Sequence, residues 1–153
     1  MITSAQSTFL ALAATASLKS EHTTGVPASV TLSQAIFESG WGVHAPYNNY
    51  FGIKANGRGS GCFVTPTQEC VKGKYATQDL AFEKYASMEA CFVDHAFLFT
   101  NLPIYSTPWN AFQVDRNVDK FVLSIGSIYA SAKDYGQTIL AFSKSSLIQN
   151  ALH

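Results

Sequence analysis

Charged residues are scarce in this sequence, and neither sign is in excess. Asp, Glu, Lys and Arg together make up 13% of the 153 residues, and ten basic and ten acidic side chains give a formal net charge of zero. A nucleic-acid-binding domain needs clustered Lys and Arg side chains to neutralise phosphates, and the sequence has no such cluster. We therefore expect no nucleic acid among the partners of this chain.

Long apolar runs are also missing. No segment reaches the roughly 18 apolar residues that a membrane-spanning helix needs, so we expect no membrane insertion. The Ala- and Ser-rich segment 2–20 lacks the basic start of a signal peptide, and polar residues at 6–8 interrupt its apolar part. We predict an amphipathic helix over about 4–20 instead, so that any export signal is absent or has been removed. The inward-facing residues of this helix would be Phe9, Leu12, Ala13 and Ala16.

Cysteine is rare too, with only Cys62, Cys70 and Cys91. Three cysteines cannot all pair within one chain. No Cys-x-x-Cys motif or histidine cluster indicates zinc, and we predict no metal site and no cofactor. Cys62 and Cys70 bracket a predicted hairpin, and we expect them to lie close together. They could form a disulfide, which would suit an oxidising compartment, or remain free thiols.

Hydrophobic residues, by contrast, make up 47% of the chain, and eleven Phe and seven Tyr are among them. Such a content is too high for a disordered segment, and a chain of 153 residues can bury a substantial core. We therefore expect residues 1–153 to form a single domain, and we expect a monomer.

Apolar periodicity and capping residues predict helices on both sides of a small β-lobe at about 56–86. Further helices are expected over about 27–39, 88–100, 108–113 and 117–130, with a last one that Asp134 caps. Short strands are expected over about 62–65, 68–71 and 75–85, with a tight turn at Lys72-Gly73. The predicted fold class is α+β and mainly helical, with a helical lobe and a β-hairpin lobe on either side of a groove.

The helix at 27–39 is predicted to end at a carboxylate. Glycines at 40 and 42 end it because glycine readily adopts the left-handed conformation of a helix C-cap. Glu38 then lies in the last turn, where the helix dipole disfavours a negative charge by up to about 1 kcal/mol. Phe37 and Trp41 can also exclude water from this carboxyl. Both effects raise its pKa, and a protonated carboxyl can donate the proton that glycosidic bond cleavage needs.

Glu38 alone could equally be a solvated charge at a helix end, but its neighbours form a recognisable pair of blocks. Glu-Ser-Gly-Trp-Gly at 38–42 is followed by Asn-Asn-Tyr-Phe-Gly-Ile-Lys-Ala at 48–55. The pair resembles the bacterial β-N-acetylglucosaminidases of glycoside hydrolase family 73, which include the hydrolase domain of the flagellar rod-associated enzyme. The resemblance extends from about residue 9 to 148. It implies a lysozyme-like fold with Glu38 as the catalytic acid.

The resemblance also implies roles for residues around the groove. Glu69, on the predicted hairpin, stands where the family has its second carboxylate, although it could be an exposed strand charge. Tyr129 matches a family tyrosine near the acid, although it could be a core residue. Asp79 and Glu83 are expected to be solvated, and His95 is expected to be packed rather than catalytic. The predicted substrate-binding residues are Trp41, Asn48, Asn49, Phe51 and Tyr135, of which Trp41 could instead pack under the acid.

By this resemblance, the chain would be a bacterial cell-wall hydrolase, periplasmic or extracellular, with peptidoglycan glycan strands as its partner. It would cleave the β-1,4 bond between N-acetylglucosamine and N-acetylmuramic acid. Two alternatives remain at this point. The chain could be a muramidase or lytic transglycosylase, or it could be a lysozyme-like module that binds glycan without turnover. We also expect Glu69 to lie too far from Glu38 for direct cooperation in the absence of substrate.

Overall fold

A computed structural model describes all residues 1–153 and contains helices on both sides of one β-hairpin. The helices are α1 (Ser4–Thr24), α2 (Ala28–Ser39), α3 (Met88–Asn101), α4 (Ser106–Asp115), α5 (Val118–Tyr129), α6 (Tyr135–Ser143) and α7 (Ser146–Ala151). The antiparallel strands are β1 (Cys62–Val71) and β2 (Lys74–Glu83), and short 3-10 turns cover Pro46–Asn48 and Pro103–Tyr105. None of the helices is both long and apolar enough to cross a membrane. The predicted α+β organisation is confirmed.

Helix α2 is the central element of the helical lobe. It contacts α1, α6 and α7, and most of its residues are buried, including polar ones. One core cluster lies around Phe92 between α1, α2 and α3, and a second lies around Phe121 where α3, α4, α5 and α6 meet. Helix α2 is therefore held by packing on several sides, although Phe37 and Glu38 near its carboxyl-terminal end are exposed.

Helices α5 and α6 cross at very short range. A Cβ atom added to Gly126 would lie 2.4 Å from the Cα of Gly136, so only glycine permits this approach. The crossing brings together Tyr129, at the end of α5, and Tyr135, at the start of α6. Their rings stack with centroids 5.5 Å apart. The two tyrosines expected near the groove are thus neighbours.

The structure corrects three predictions about the helices. Leu12 is 58% exposed, because the buried side of α1 is centred on Ala13 and Ser17 and leaves Leu12 at its edge. Helix α1 continues past the predicted end at residue 20 as far as Thr24, whose hydroxyl donates a hydrogen bond to the carbonyl of Ser20. Gly25 caps the end of this helix. The last helical segment is divided into α6 and α7, because the Ser145 side chain caps a new helix.

The β-lobe also differs from prediction. Two continuous ten-residue strands replace the three short ones, joined by the expected turn at 72–73. Cys62 and Cys70 both lie on β1, eight residues apart, which is roughly 26 Å along a strand. The prediction that they are close was wrong, and all three cysteines are free thiols. The reason is that one uninterrupted strand carries both residues instead of two strands that face each other.

Glu83 is buried rather than solvated as predicted, with only 1% of its surface exposed. Its carboxylate accepts hydrogen bonds from the backbone N–H groups of Asn56, Gly57 and Gly59. Asp79 remains exposed as expected. The loop before β1 is therefore tied to the end of β2, which fixes the base of the hairpin beside the helical lobe.

Candidate active site

Glu38 lies in the last turn of α2, as predicted. Gly40 adopts a left-handed conformation (φ 55°) and donates its N–H to the carbonyl of Ile36, which ends the helix. Because α2 is enclosed by other helices, its end has a fixed position at the edge of the helical lobe. The acid is thus mounted on a rigid element.

A chain of hydrogen bonds holds the Glu38 carboxyl. The Tyr135 hydroxyl donates to Glu38 Oε1 at 2.6 Å, and it accepts a hydrogen bond from Gln34 Nε2 at 3.1 Å. Both partners are buried. Tyr135 was predicted to bind substrate, and the structure shows that its hydroxyl is bonded to the Glu38 carboxyl. Gln34 was not predicted at all, although its place four residues before Glu38 put it on the same helix face.

Partial burial of the carboxyl raises the pKa of Glu38 above its usual value, although the residue as a whole is exposed to solvent, and the hydrogen bond from Tyr135 opposes this effect. The predicted direction of the pKa shift is confirmed, but the surroundings differ from those expected. Phe37 is 54% exposed and packs edge-on against the ring of Tyr135, and Trp41 packs against the core. A carboxyl that stays protonated at higher pH can act as a general acid.

Glu38 lies where two cavities meet. The smaller cavity, of about 160 Å³, lies against the base of the hairpin, and we call it the hairpin cavity. The larger cavity, of about 490 Å³, lies against α3 and α5, and we call it the helical cavity. Only Glu38 and Gly52 line both. A chain of sugars that occupies both cavities must therefore pass the Glu38 carboxyl.

Tyr129 lines the helical cavity together with Glu38. Its ring contacts Tyr135, Phe99 and His95, but its hydroxyl has no hydrogen-bond partner within the protein. Burial and the nearby Glu38 carboxylate raise the pKa of the Tyr129 phenol, so the hydroxyl keeps its proton. Tyr129 therefore combines a packed ring with a hydroxyl free to bind a ligand.

Glu69 is connected to the site only through its contact with Lys54. Lys54 forms an isolated β-bridge with Phe82, and Phe82 lies opposite Phe63 in the hairpin. Glu69 follows Phe63 by six residues, which would place it roughly 20 Å away on a straight strand. Nevertheless, Lys54 Nζ lies 3.5 Å from Glu69 Oε1. The hairpin must therefore curve back towards Lys54, which lines the helical cavity, although Glu69 itself lines neither cavity.

Comparison with known proteins agrees with this geometry. Residues 14–146 match the glucosaminidase family, described as mannosyl-glycoprotein endo-beta-N-acetylglucosaminidase. The chain belongs to this family. The glucosaminidase match includes Glu38, Tyr129 and Tyr135, so all three lie within the family domain.

Relatives of this glucosaminidase domain are longer proteins. The exo-glucosaminidase LytG of Bacillus subtilis is 40% identical over 127 residues, which are 74% of this chain and 42% of LytG. A probable N-acetylmuramidase of Lactococcus lactis is 35% identical over 124 residues, or 75% of this chain and 28% of that protein. The chain thus spans less than half the length of either relative.

A solved structure has the same fold. A mutant of a peptidoglycan hydrolase from Sphingomonas sp. A1 has a TM-score of 0.74 and 26% sequence identity, and the match covers 95% of this chain and 97% of that one. The predicted family and the predicted lysozyme-like fold are both confirmed.

Several glucosaminidase residues that were predicted to bind substrate also have partners within the protein. Both N–H groups of the Asn49 amide donate to backbone carbonyls, those of Ile53 and Glu83, and the Asn49 oxygen accepts from the N–H of Ile53. Asn48 donates to the carbonyl of Tyr85. These bonds tie the segment 48–53 to residues at the end of β2, and they use both amide hydrogens of Asn49.

Phe51 is buried as well, although part of its ring lines the helical cavity. It stacks on His95 with centroids 3.7 Å apart and ring planes at 14°. Burial lowers the pKa of His95 to about 3, so the ring is neutral. The prediction of a packed histidine is confirmed. No three His, Cys, Asp or Glu side chains form a group that could hold a metal ion.

Proposed function

We propose that this domain hydrolyses peptidoglycan at the β-1,4 bond between N-acetylglucosamine and N-acetylmuramic acid, with Glu38 as the general acid. The observation that carries the proposal is the position of Glu38, a carboxyl of raised pKa at the junction of two cavities. The family match and the similarity to a peptidoglycan hydrolase support the choice of substrate. The proposed substrate implies action in the cell wall, periplasmic or extracellular, and we propose a monomer.

In the proposed reaction, Glu38 donates its proton to the glycosidic oxygen as the bond to the anomeric carbon breaks. Tyr135 orients the carboxyl, and after proton transfer its hydroxyl stabilises the carboxylate. The free hydroxyl of Tyr129 is available to orient the acetamido group of the sugar. The acetamido oxygen attacks the anomeric carbon as the bond to the leaving oxygen breaks, which forms a cyclic intermediate, as in substrate-assisted glycosidases. Water then attacks the anomeric carbon and opens the ring, and the Glu38 carboxylate takes the proton of this water and is restored to the acid form.

Glu69 is proposed as an electrostatic partner in this reaction. Its contact with Lys54 indicates a hairpin tip that curves towards the helical cavity, where positive charge develops on the sugar. Glu69 lines neither of the two cavities that Glu38 lines, so it is poorly placed to act as a nucleophile. A mobile hairpin could bring it closer when substrate binds.

A muramidase is the second candidate, because one relative is named a probable N-acetylmuramidase. Digestion of purified sacculi followed by borohydride reduction separates the possibilities. A glucosaminidase yields new glucosaminitol ends, a muramidase yields muramitol ends, and a transglycosylase yields an anhydro sugar that cannot be reduced. Muramitol or anhydro ends would contradict the proposed bond.

The role of Glu38 is tested with Glu38→Gln, which keeps the shape of the side chain but cannot donate the proton. We expect a loss of at least about 100-fold in the digestion rate. The matched control is Glu89→Gln, since Glu89 is exposed, pairs with Lys19 and lines neither cavity. If both variants digest sacculi at the parent rate, Glu38 is not the acid.

Stability shows whether the Glu38→Gln variant is folded. Because the pKa of Glu38 is raised in the folded state, this group destabilises the protein progressively as pH rises from the ordinary value of 4.5 through the folded pKa. Glutamine carries no such penalty. We therefore expect Glu38→Gln to unfold at or above the parent temperature at neutral pH, as measured by circular dichroism.

A further inference from the structure

Two aromatic rings that line the hairpin cavity, and a third that packs against one of them, have no role in the proposed reaction. Phe63 and Phe82 lie opposite each other on β1 and β2, with ring centroids 5.8 Å apart, and both line the hairpin cavity with Glu38. Tyr47 lies against Phe63 with a centroid distance of 5.0 Å. The rings thus form a continuous apolar surface, the aromatic platform (Tyr47, Phe63, Phe82), beside the acid.

The platform is held in place but remains accessible. Tyr47 is 58% exposed, and the ammonium group of Lys84 lies 4.3 Å from its ring centroid. The backbone of Tyr47 is in the left-handed region (φ 53°, ψ 38°), which is unfavourable for a bulky side chain. Phe63 is half-buried. Tyr47 thus supports Phe63 from outside the cavity, and Phe63 and Phe82 are the rings that a ligand inside the cavity would meet.

Two polar side chains complete the same cavity. His44 and Thr65 line it together with Glu38, and neither side chain has a hydrogen-bond partner in the protein. Thr65 shares the face of β1 with Phe63, because residues two apart on a strand point the same way. An apolar surface with a few free polar groups beside it is the usual composition of a small-ligand site.

We propose that the hairpin cavity is a sugar subsite, in which Phe63 stacks on the apolar face of one N-acetylhexosamine ring and His44 and Thr65 bind its polar substituents. The subsite would hold the sugar next to the bond that Glu38 protonates, and to that extent it rests on the proposed function. A volume of about 160 Å³ is too small for a drug-sized ligand, so it fits one ring rather than several.

The test uses matched variants on β1. Phe63→Leu keeps an apolar side chain but removes the flat ring, and Phe63→Trp keeps a flat ring. Val64→Leu is the control, because Val64 is the next residue on the strand, is 65% exposed and points to the opposite face. Each is made in the parent for kinetics and in the Glu38→Gln background for binding, and unfolding temperatures confirm that each is folded.

Binding is measured by co-sedimentation of the Glu38→Gln proteins with purified sacculi. We expect Phe63→Leu to weaken binding about tenfold, with Phe63→Trp and Val64→Leu close to the parent. In the active enzyme, Phe63→Leu should raise the substrate concentration for half-maximal rate by a similar factor and change the maximal rate little, because Glu38 is untouched. Unchanged binding by Phe63→Leu, or equal weakening by Val64→Leu, would overturn the subsite.

The outcome separates the subsite from the proposed function. A parent protein that digests sacculi, together with a Phe63→Leu variant of unchanged affinity, refutes only the subsite. A parent protein that leaves sacculi intact, but binds them through Phe63, refutes hydrolysis and supports the subsite in a glycan-binding module.

Discussion

Removal of the Tyr135 hydroxyl should change the pH range in which the enzyme works. In Tyr135→Phe the ring remains, and so do its contacts with Tyr129 and Phe37. The variant loses the 2.6 Å hydrogen bond to Glu38 Oε1. That bond favours the carboxylate over the carboxylic acid, so its loss should raise the pKa of Glu38 further.

The size of the effect follows from the energy of such a bond. A hydrogen bond to a charged group contributes about 1.5–3 kcal/mol, and about 1.4 kcal/mol corresponds to one pH unit. Glu38 must be protonated to act as the acid, so activity falls as pH rises through its pKa. The alkaline limb of the pH profile should therefore move upward by about one pH unit. The variant also leaves the Gln34 amide without an acceptor, which should cost about 1–3 kcal/mol of stability.

The assay is the initial rate of sacculus digestion, measured at low substrate concentration across the pH range. Tyr129→Phe is the matched control, because its hydroxyl has no protein partner and its loss removes no hydrogen bond from Glu38. We expect Tyr129→Phe to lower the rate without moving the alkaline limb. An unchanged or lower alkaline limb in Tyr135→Phe would refute the assignment of Tyr135 as the residue that tunes the acid.

Three further predictions concern other parts of the structure. Glu69→Gln should retain measurable activity, with a loss well below that of Glu38→Gln in the same digestion assay; a variant as inactive as the latter would indicate a base or nucleophile. Gly126→Ala should lower the unfolding temperature by several degrees, because its Cβ would lie 2.4 Å from Gly136 Cα and overpacking costs about 1–3 kcal/mol. His95→Phe should unfold at or above the parent temperature, because both ring nitrogens of His95 are buried without partners; a clear drop would mean that the imidazole is hydrogen-bonded in solution.

Local patterns predicted the end of α2 correctly because they depend on neighbours in the chain. Glycine at 40 stops the helix after Glu38, and Ser87 caps α3 through the N–H of Ala90, as its residue type suggested. Strand boundaries were harder to predict from the sequence. Two short strands were predicted at 62–65 and 68–71, but pairing with β2 holds β1 together over all ten residues. The error over Cys62 and Cys70 followed directly from this.

The sequence by itself determined the family, the position of Glu38 at the end of α2 and the order of helices and hairpin, because each depends on short motifs or on periodicity along the chain. Only the tertiary structure decided which groups meet Glu38. Tyr135 follows the acid by 97 positions and reaches it because α6 packs on α2 and crosses α5 at Gly126. Phe63 lines the same cavity as Glu38 because the hairpin of β1 and β2 is placed beside the end of α2. Contacts between distant segments arise from the packing of whole elements, and local sequence carries little information about them.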